Sequence, residues 1–304
     1  MMTRLFGVIG HPISHSLSPV MHTAAFRAWH SDALYSPFEV SLRDLRPMLQ
    51  GLIRAGVEGL NVTVPLKEAV VPLLQDLAPS ARVLGAVNTI VIRRRRAVGH
   101  NTDGFGFRMA LKELGWKPHR CQAIVLGAGG AARAVAWELT AVSGSHLTLV
   151  NRHHKRAQNL AVWLRRKRPQ VSIDILSLDQ LQSGSCLENA ELLVNATTVG
   201  MNVSDPMLIS PRMLRSGMLV YDLIYHHETP LIRQALQRRC VAANGLSMLL
   251  YQGAESLRLW LDREPPIEAM RQALRIFQQN RARASLTSKM SRGESIKFQR
   301  GKRK

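Results

Sequence analysis

Short apolar runs alternate with stretches of helical spacing along the N-terminal third of the chain. Residues 5–9, 34–40, 59–64 and 87–92 read as strands, and 19–29, 42–55 and 65–74 carry apolar residues at helical intervals. This rhythm predicts an α/β fold with a mainly parallel sheet covered by helices. Near Gly104 the pattern restarts. A helix over 105–114 leads to a strand at 123–126, a glycine-rich turn, a helix to about 142, a strand at 146–150 and a helix over 155–165. Strands at 171–176, 192–195 and 218–222 follow, the alternation that a doubly wound, Rossmann-type nucleotide-binding domain requires. From 244 to 261, and from 266 to about 279, the spacing is helical, and no further strand is expected. The chain divides into an N-terminal lobe over 1–103, a nucleotide-binding lobe over 104–239, helices within 240–280 and a remainder over 281–304.

Composition narrows the class. With 304 residues, 46% hydrophobic and 20% charged, each of two lobes can bury its own core. The apolar runs fall short of a membrane span and lack a signal peptide's organisation, so a cytoplasmic protein is expected. Cys121, Cys186 and Cys240 have no metal-ligand spacing and read as buried thiols of a reducing compartment. The net charge of +20 raises the question of nucleic acid, and its location answers it. Residues 281–304 hold nine Lys or Arg against one Glu without apolar periodicity, and read as a disordered appendage for which no nucleic-acid role is expected. The run Arg93 to Arg96 sits between two strand-like segments and reads as a solvated hairpin tip.

Gly127-Ala128-Gly129-Gly130-Ala131-Ala132 follows a strand and opens a helix, the context in which such a loop holds a dinucleotide pyrophosphate. Gly127 permits the tight turn, Gly129 lets backbone approach the phosphates, and Ala132 allows close helix packing. The next strand ends in Asn151, Arg152, His153, His154, Lys155 and Arg156, where an NAD-binding domain carries a carboxylate. A guanidinium can hold a 2'-phosphate that a carboxylate would repel, so the preference expected is NADP(H).

Three further segments carry candidate chemistry. Ser16 and Ser18 place their hydroxyls on one side of an extended backbone, able to bind a carboxylate. Taken alone they are better explained by capping, since Ser18 precedes Pro19. Lys67 follows Pro65 in the first turn of an expected helix, whose positive end disfavours an ammonium. An amine there can accept a proton while hydride leaves an alcohol carbon. Asp103 precedes Gly104 and a helix, where it could also act as an N-cap. His11, His15 and His22 need only turn or capping roles, and His153 and His154 lack a metal-ligand partner, so no metal is expected.

The opening run from Gly10 to Pro19, Asn61-Val62-Thr63-Val64-Pro65-Leu66-Lys67, Asn88-Thr89, Asn101-Thr102-Asp103-Gly104, the glycine loop, Asn195 to Met201, Asp222-Leu223-Ile224-Tyr225 and Met248 to Gln252 together resemble the shikimate dehydrogenase family, over residues 5–278. The resemblance implies NADP-linked interconversion of shikimate and 3-dehydroshikimate in chorismate and aromatic amino acid biosynthesis. It implies Lys67 and Asp103 as the catalytic pair, and Ser16, Ser18, Asn61, Thr63, Asn88, Tyr225 and Gln252 as further substrate contacts. Thr197, Leu223 and Gly245 would lie by the nicotinamide, and the last helices would fold back onto the first lobe, leaving a cleft between lobes. His153 stands where the family has threonine, and Thr23 where it has asparagine. A homodimer is compatible with this reading. Two rivals remain: a quinate/shikimate dehydrogenase using NAD, and a basic nucleotide- or nucleic-acid-binding protein without catalysis.

Overall fold

The computed structural model describes residues 3–117, 120–182, 189–202 and 204–291, with side chains as far as Arg281. The first lobe runs β1 (Arg4–Gly10), α1 (Ser18–Ala28), β2 (Ala33–Glu39), α2 (Leu45–Arg54), β3 (Val57–Val62), α3 (Leu66–Ala69), β4 (Asp76–Leu77), α4 (Pro79–Leu84), β5 (Thr89–Arg93) and β6 (Arg96–His100). Its six strands lie in the order β2-β1-β3-β5-β6-β4. β1 is parallel to β2 and β3, β4 is parallel to β6, and the β5–β6 hairpin is antiparallel to β3. The basic run is the hairpin's tip: Arg93 pairs with Arg96, and Arg94 and Arg95 take positive φ of 51° and 63°.

The second lobe runs α5 (Asp103–Glu113), β7 (Gln122–Leu126), α6 (Gly130–Leu139), β8 (His146–Val150), α7 (His154–Lys167), β9 (Ser172–Leu176), α8 (Leu178–Gln182), β10 (Leu192–Asn195), β11 (Leu219–Asp222), α9 (Pro230–Gln237) and β12 (Val241–Asn244). All six strands are parallel, in the order β12-β11-β10-β7-β8-β9. The order reverses between β7 and β10, so their carboxyl ends open the crevice where such sheets bind nucleotides. α10 (Leu246–Leu261) and α11 (Ile267–Ser291) close the described chain.

Strand alternation explains the cores. Phe6 and Val8 of β1 face one side of the first sheet, and Ile9 faces the other. On the Phe6 side, Met21 and Phe26 of α1 share a core with Leu250, Ala254, Leu257 and Trp260 of α10 and with Met270 and Leu274 of α11. The C-terminal helices thus pack on the N-terminal sheet, and the Trp260 indole donates to the Ile90 carbonyl at 2.9 Å. Each such large apolar side chain stabilises the fold by about 1.5–3 kcal/mol.

Three expectations need correction. The helix expected over 65–74 is the single turn α3, then a 3-10 turn at Val71–Leu73 and the strand β4. Pro72 has no amide hydrogen to continue the α-helical ladder, and two valines precede it. β12 is a strand where none was expected; it is a four-residue edge strand with Val241 46% exposed, too short to show a period. α11 continues to Ser291, so the segment expected to be an unstructured appendage begins as helix. Cys121 and Cys240 are buried free thiols, while Cys186 and the basic residues from 292 onward lie outside the described residues. Among the described residues no helix is long and apolar enough to cross a membrane.

Candidate active site

Three chain reversals of the first sheet converge. β3 ends at Val62 and delivers Lys67 through α3, β5 is preceded by Asn88, and β6 hands over to Asn101, Thr102 and Asp103 at the start of α5. Lys67 Nζ donates to Asp103 Oδ2 at 2.6 Å, with the two side chains 19% and 7% exposed. The other carboxylate oxygen accepts from Asn88 Nδ2 at 2.8 Å. Asn88 cannot turn its amide around, because its Oδ1 faces the Thr102 backbone N–H at 2.8 Å, a group that only donates. Asp103 therefore meets a donor on each oxygen. Its expected N-cap role is not observed: Thr102 is the N-cap residue of α5 and its side chain makes no cap bond, while the Asp103 N–H donates to Asn101 Oδ1 at 3.0 Å. The expected helix dipole at Lys67 shrinks to one turn, and the carboxylate is the charge the amine meets.

Gln252 and Thr102 extend this cluster. Gln252 Oε1 accepts from Asn88 Nδ2 at 3.1 Å, and Thr102 Oγ1 donates to the Gln252 carbonyl at 3.0 Å. Thr102 is 2% exposed and went unremarked in the sequence except as part of its motif. Asn61, 5% exposed, has both polar atoms bonded inside the protein, its Oδ1 accepting from Tyr35 Oη at 2.7 Å. Neither Tyr35 nor Ser256, which accepts from Asn61 Nδ2 at 2.9 Å, carries a local sequence signal.

At the other end of the cluster, α1 begins at Ser18 with Leu17 as N-cap, so the expected capping by the Ser18 side chain is also not observed. Ser16 Oγ accepts from the Ser18 N–H at 3.3 Å, and the Ser18 hydroxyl interacts with Tyr35. The Thr63 N–H donates to the Ile9 carbonyl at 2.9 Å, setting that residue at the end of β1 beside the opening run. Tyr225 is partly buried, and burial pushes its phenol up to about 12. Behind it, a cavity of about 820 Å³ lies between α11, β12 and the β11–α9 loop. None of the expected site residues lines it, and it touches the site through Gln278, which donates to the Tyr225 carbonyl at 2.9 Å. His22, given a turn or capping role by the sequence, is a core residue instead: fully buried, stacked on Tyr35 at 4.3 Å, with neither ring nitrogen hydrogen-bonded.

The second lobe presents a nucleotide cradle. Gly127 has φ +112°, and a Cβ there would lie 2.8 Å from the Ala196 carbonyl, so only glycine fits the turn. Cβ atoms at Gly129 and Gly130 would meet nothing within 4 Å, and no side chain caps α6, which leaves Ala128 to Ala131 open before free helix N–H groups. The loop fits a pyrophosphate. At the end of β8, Asn151 Nδ2 donates to the His153 carbonyl at 2.9 Å and shapes the turn into α7. Arg152, His153, His154, Lys155 and Arg156 are all exposed, with no ion pair recorded among the described residues. Those free cations suit a 2'-phosphate.

Across the crevice, Asn195 Oδ1 accepts from the Thr197 hydroxyl at 2.7 Å, and its Nδ2 donates to Asp222 Oδ1 at 3.0 Å. Asp222 is fully buried and also accepts from Thr229 Oγ1 at 2.6 Å; burial raises its pKa while those donors pull it down. It holds together the loops after β10 and β11. A Cβ on Gly245 would collide with the Leu223 carbonyl, so these two expected nicotinamide neighbours are in contact.

Comparison with known proteins agrees with this geometry. Residues 8–90 match the family described as shikimate dehydrogenase substrate binding domain, 108–223 match shikimate / quinate 5-dehydrogenase, and 245–275 match the shikimate 5'-dehydrogenase C-terminal domain. The NADP(+) shikimate dehydrogenase of Symbiobacterium thermophilum is 42% identical over 89% of this chain and 93% of its own. A Thermus thermophilus shikimate 5-dehydrogenase solved with NADP(H) and shikimate superposes with TM-score 0.79 at 36% identity, over 90% of this chain and 98% of that one. A Corynebacterium glutamicum quinate dehydrogenase solved with NAD superposes with TM-score 0.82 at 30% identity, over 90% and 98%.

Proposed function

Because this chain belongs to the shikimate dehydrogenase family, we propose that it interconverts shikimate and 3-dehydroshikimate with NADP(H), using Lys67 and Asp103 as its acid–base pair. The observation that carries the reading is the 2.6 Å contact between Lys67 Nζ and Asp103 Oδ2, two groups far apart in sequence that meet among buried polar side chains. When bound, NADP(H) exchanges hydride with the substrate carbon. The protein's part is the proton on the oxygen of that carbon. In the oxidative direction the hydroxyl proton passes to Lys67, and in reduction Lys67 returns it. Asp103 orients the amine and the ring hydroxyl, and because Asn88 pins its second oxygen it cannot swing away. A preformed arrangement of this kind lowers the barrier by avoiding reorganisation during reaction.

Ser16 and Ser18 hold the substrate carboxylate, while Thr63, Tyr225 and, by giving up the bond between them, Asn88 and Gln252 bind oxygens around the ring. A pocket that pairs each hydroxyl rejects analogues leaving its groups unpaired. Arg152, with Arg156 in the first turn of α7, holds the 2'-phosphate, which supports NADP over NAD. The deciding assay follows NADPH absorbance with shikimate or quinate and NADP or NAD. Shikimate with NADP is expected to give the highest kcat/KM, and a higher value for quinate with NAD would overturn the assignment.

A further inference from the structure

Tyr35 lies on β2, outside the glycine loop and the acid–base pair and touching the serine run only through Ser18, and it starts a chain of buried hydrogen bonds that ends on Asp103. The orientation of both asparagine amides is fixed by backbone anchors. Asn61 Nδ2 faces the Asn88 carbonyl at 3.2 Å, a group that only accepts, so Asn61 Oδ1 must face Tyr35. The phenol is then obliged to donate, which it does at 2.7 Å. Asn61 Nδ2 also reaches Thr89 Oγ1 at 3.3 Å, and the Thr89 hydroxyl lies within donating distance of Asn88 Oδ1, at 3.0 Å, and of Ser256 Oγ, at 2.8 Å. Asn88 Nδ2 completes the path to Asp103 Oδ1 at 2.8 Å. Asn61, Thr89, Asn88 and Asp103 are all at most 5% exposed, so water does not compete for these partners. The ring itself is clamped by His22, stacked at 4.3 Å and 15° from parallel, with Trp260 beyond. Networks of this kind transmit orientation because a donor lost at one end leaves an unpaired acceptor at the next.

We propose that Tyr35 is a positioning residue for the acid–base pair, acting through Asn61 and Asn88 on the orientation of Asp103. The proposal rests on the reading of Lys67 and Asp103 given above. Tyr35→Phe keeps the ring and its stack and removes the hydroxyl, with its donation to Asn61 and its contact with Ser18. It is expected to lower kcat for shikimate oxidation about five- to tenfold, the effect of one net hydrogen bond, with NADP affinity unchanged. The pH profile of kcat is expected to shift, because the carboxylate facing Lys67 is less firmly held. In an Asn61→Ala background, Tyr35→Phe should cost nothing more, since the path is already cut. If that background does not fold, Thr89→Val removes the next link and serves in its place. Additive losses in the double variant, or lower thermal stability with kcat and its pH profile intact, would overturn the proposal. Wild-type protein that fails to oxidise shikimate with NADP would instead overturn the parent reading.

Discussion

The two ends of the proposed catalytic crevice handle charge in opposite ways. On the substrate side, Lys67 and Asp103 are mostly buried and already bonded to each other, and Asn88 occupies the free carboxylate oxygen. On the cofactor side, Arg152, Lys155 and Arg156 stand in solvent with no ion pair recorded among the described residues. Burying the first pair costs desolvation, which is offset only because each oxygen meets a donor in good geometry. That cost suits a site where the groups must be in place before the proton moves. In the proposed reading the exposed arginines recruit a soluble dianion, and a resident carboxylate would have to be displaced before it could bind. The chain prepares where chemistry happens and stays unpaired where a ligand brings the opposite charge.

The sharpest test of the prepared side is Lys67→Ala. Loss of a positioned acid–base group is expected to cut turnover by about 10²–10⁴-fold, while NADP affinity, read by titration, stays near the wild-type value. Turnover within a few-fold of wild type would break the comparison, because the buried pair would then be structural. The unpaired side is probed by Arg152→Ala. Charge-assisted bonds to one phosphate predict NADP binding weaker by about tenfold or more, with NAD much less affected. Equal losses for both nucleotides would mean that Arg152 shapes the turn and does not read the 2'-phosphate.

The same contrast governs how much was legible in the sequence. The second lobe announces itself because a parallel strand, a glycine turn and a helix are adjacent along the chain, and Gly127 to Ala132 need no distant partner to be recognised. Lys67 and Asp103 stand out through their motifs, but their meeting depends on how the short turn α3 and the start of α5 approach in space. Thr102, Tyr35, Ser256 and Asp222 were missed for a related reason. Each is an ordinary polar residue whose role comes from burial and from partners on other elements. Asn61, expected at the substrate, turns both polar atoms to protein partners because β2, β5 and α10 surround it. The interrupted helix after Pro65 could have been read from Pro72, a signal outweighed by the apolar spacing around it.

Buried neutrality beneath the prepared side predicts a smaller effect. His22 is fully buried, and burial lowers its pKa to about 3, with Asn61 beside it pulling the other way. The unfolded chain titrates this imidazole near 6.5, so as pH falls below that value the unfolded state takes up the proton first and stability declines. The loss is about 1.4 kcal/mol per pH unit, levelling off near pH 3, and amounts to about 2 kcal/mol between pH 7 and 5. Asp222, raised by burial, works in the opposite sense at the acid end. Denaturant melts of wild type and His22→Phe across this range separate the two, because the difference between the proteins isolates residue 22. A constant difference would show that the buried imidazole takes up a proton as readily as it does in the unfolded chain.

The smallest effect tests whether unpaired arginines are sufficient by themselves to gather a nucleotide. Arg94 and Arg95 are exposed, like Arg152, but they sit on a two-residue hairpin turn with φ of 51° and 63°, away from any glycine loop or long helix start. Left-handed backbone costs a non-glycine residue about 1–2 kcal/mol relative to glycine, and such turns favour Asn-Gly. Arg94→Asn with Arg95→Gly is therefore expected to raise unfolding stability by about 1 kcal/mol while turnover and NADP affinity stay unchanged. Stability is read from denaturant melts and affinity from titration at low salt, where a distant cation would have its greatest reach. A marked loss of NADP affinity would mean that the basic field of the whole chain attracts the cofactor. Unchanged affinity would assign recognition to the few cations that α7 and the loop after β8 hold beside the phosphate cradle.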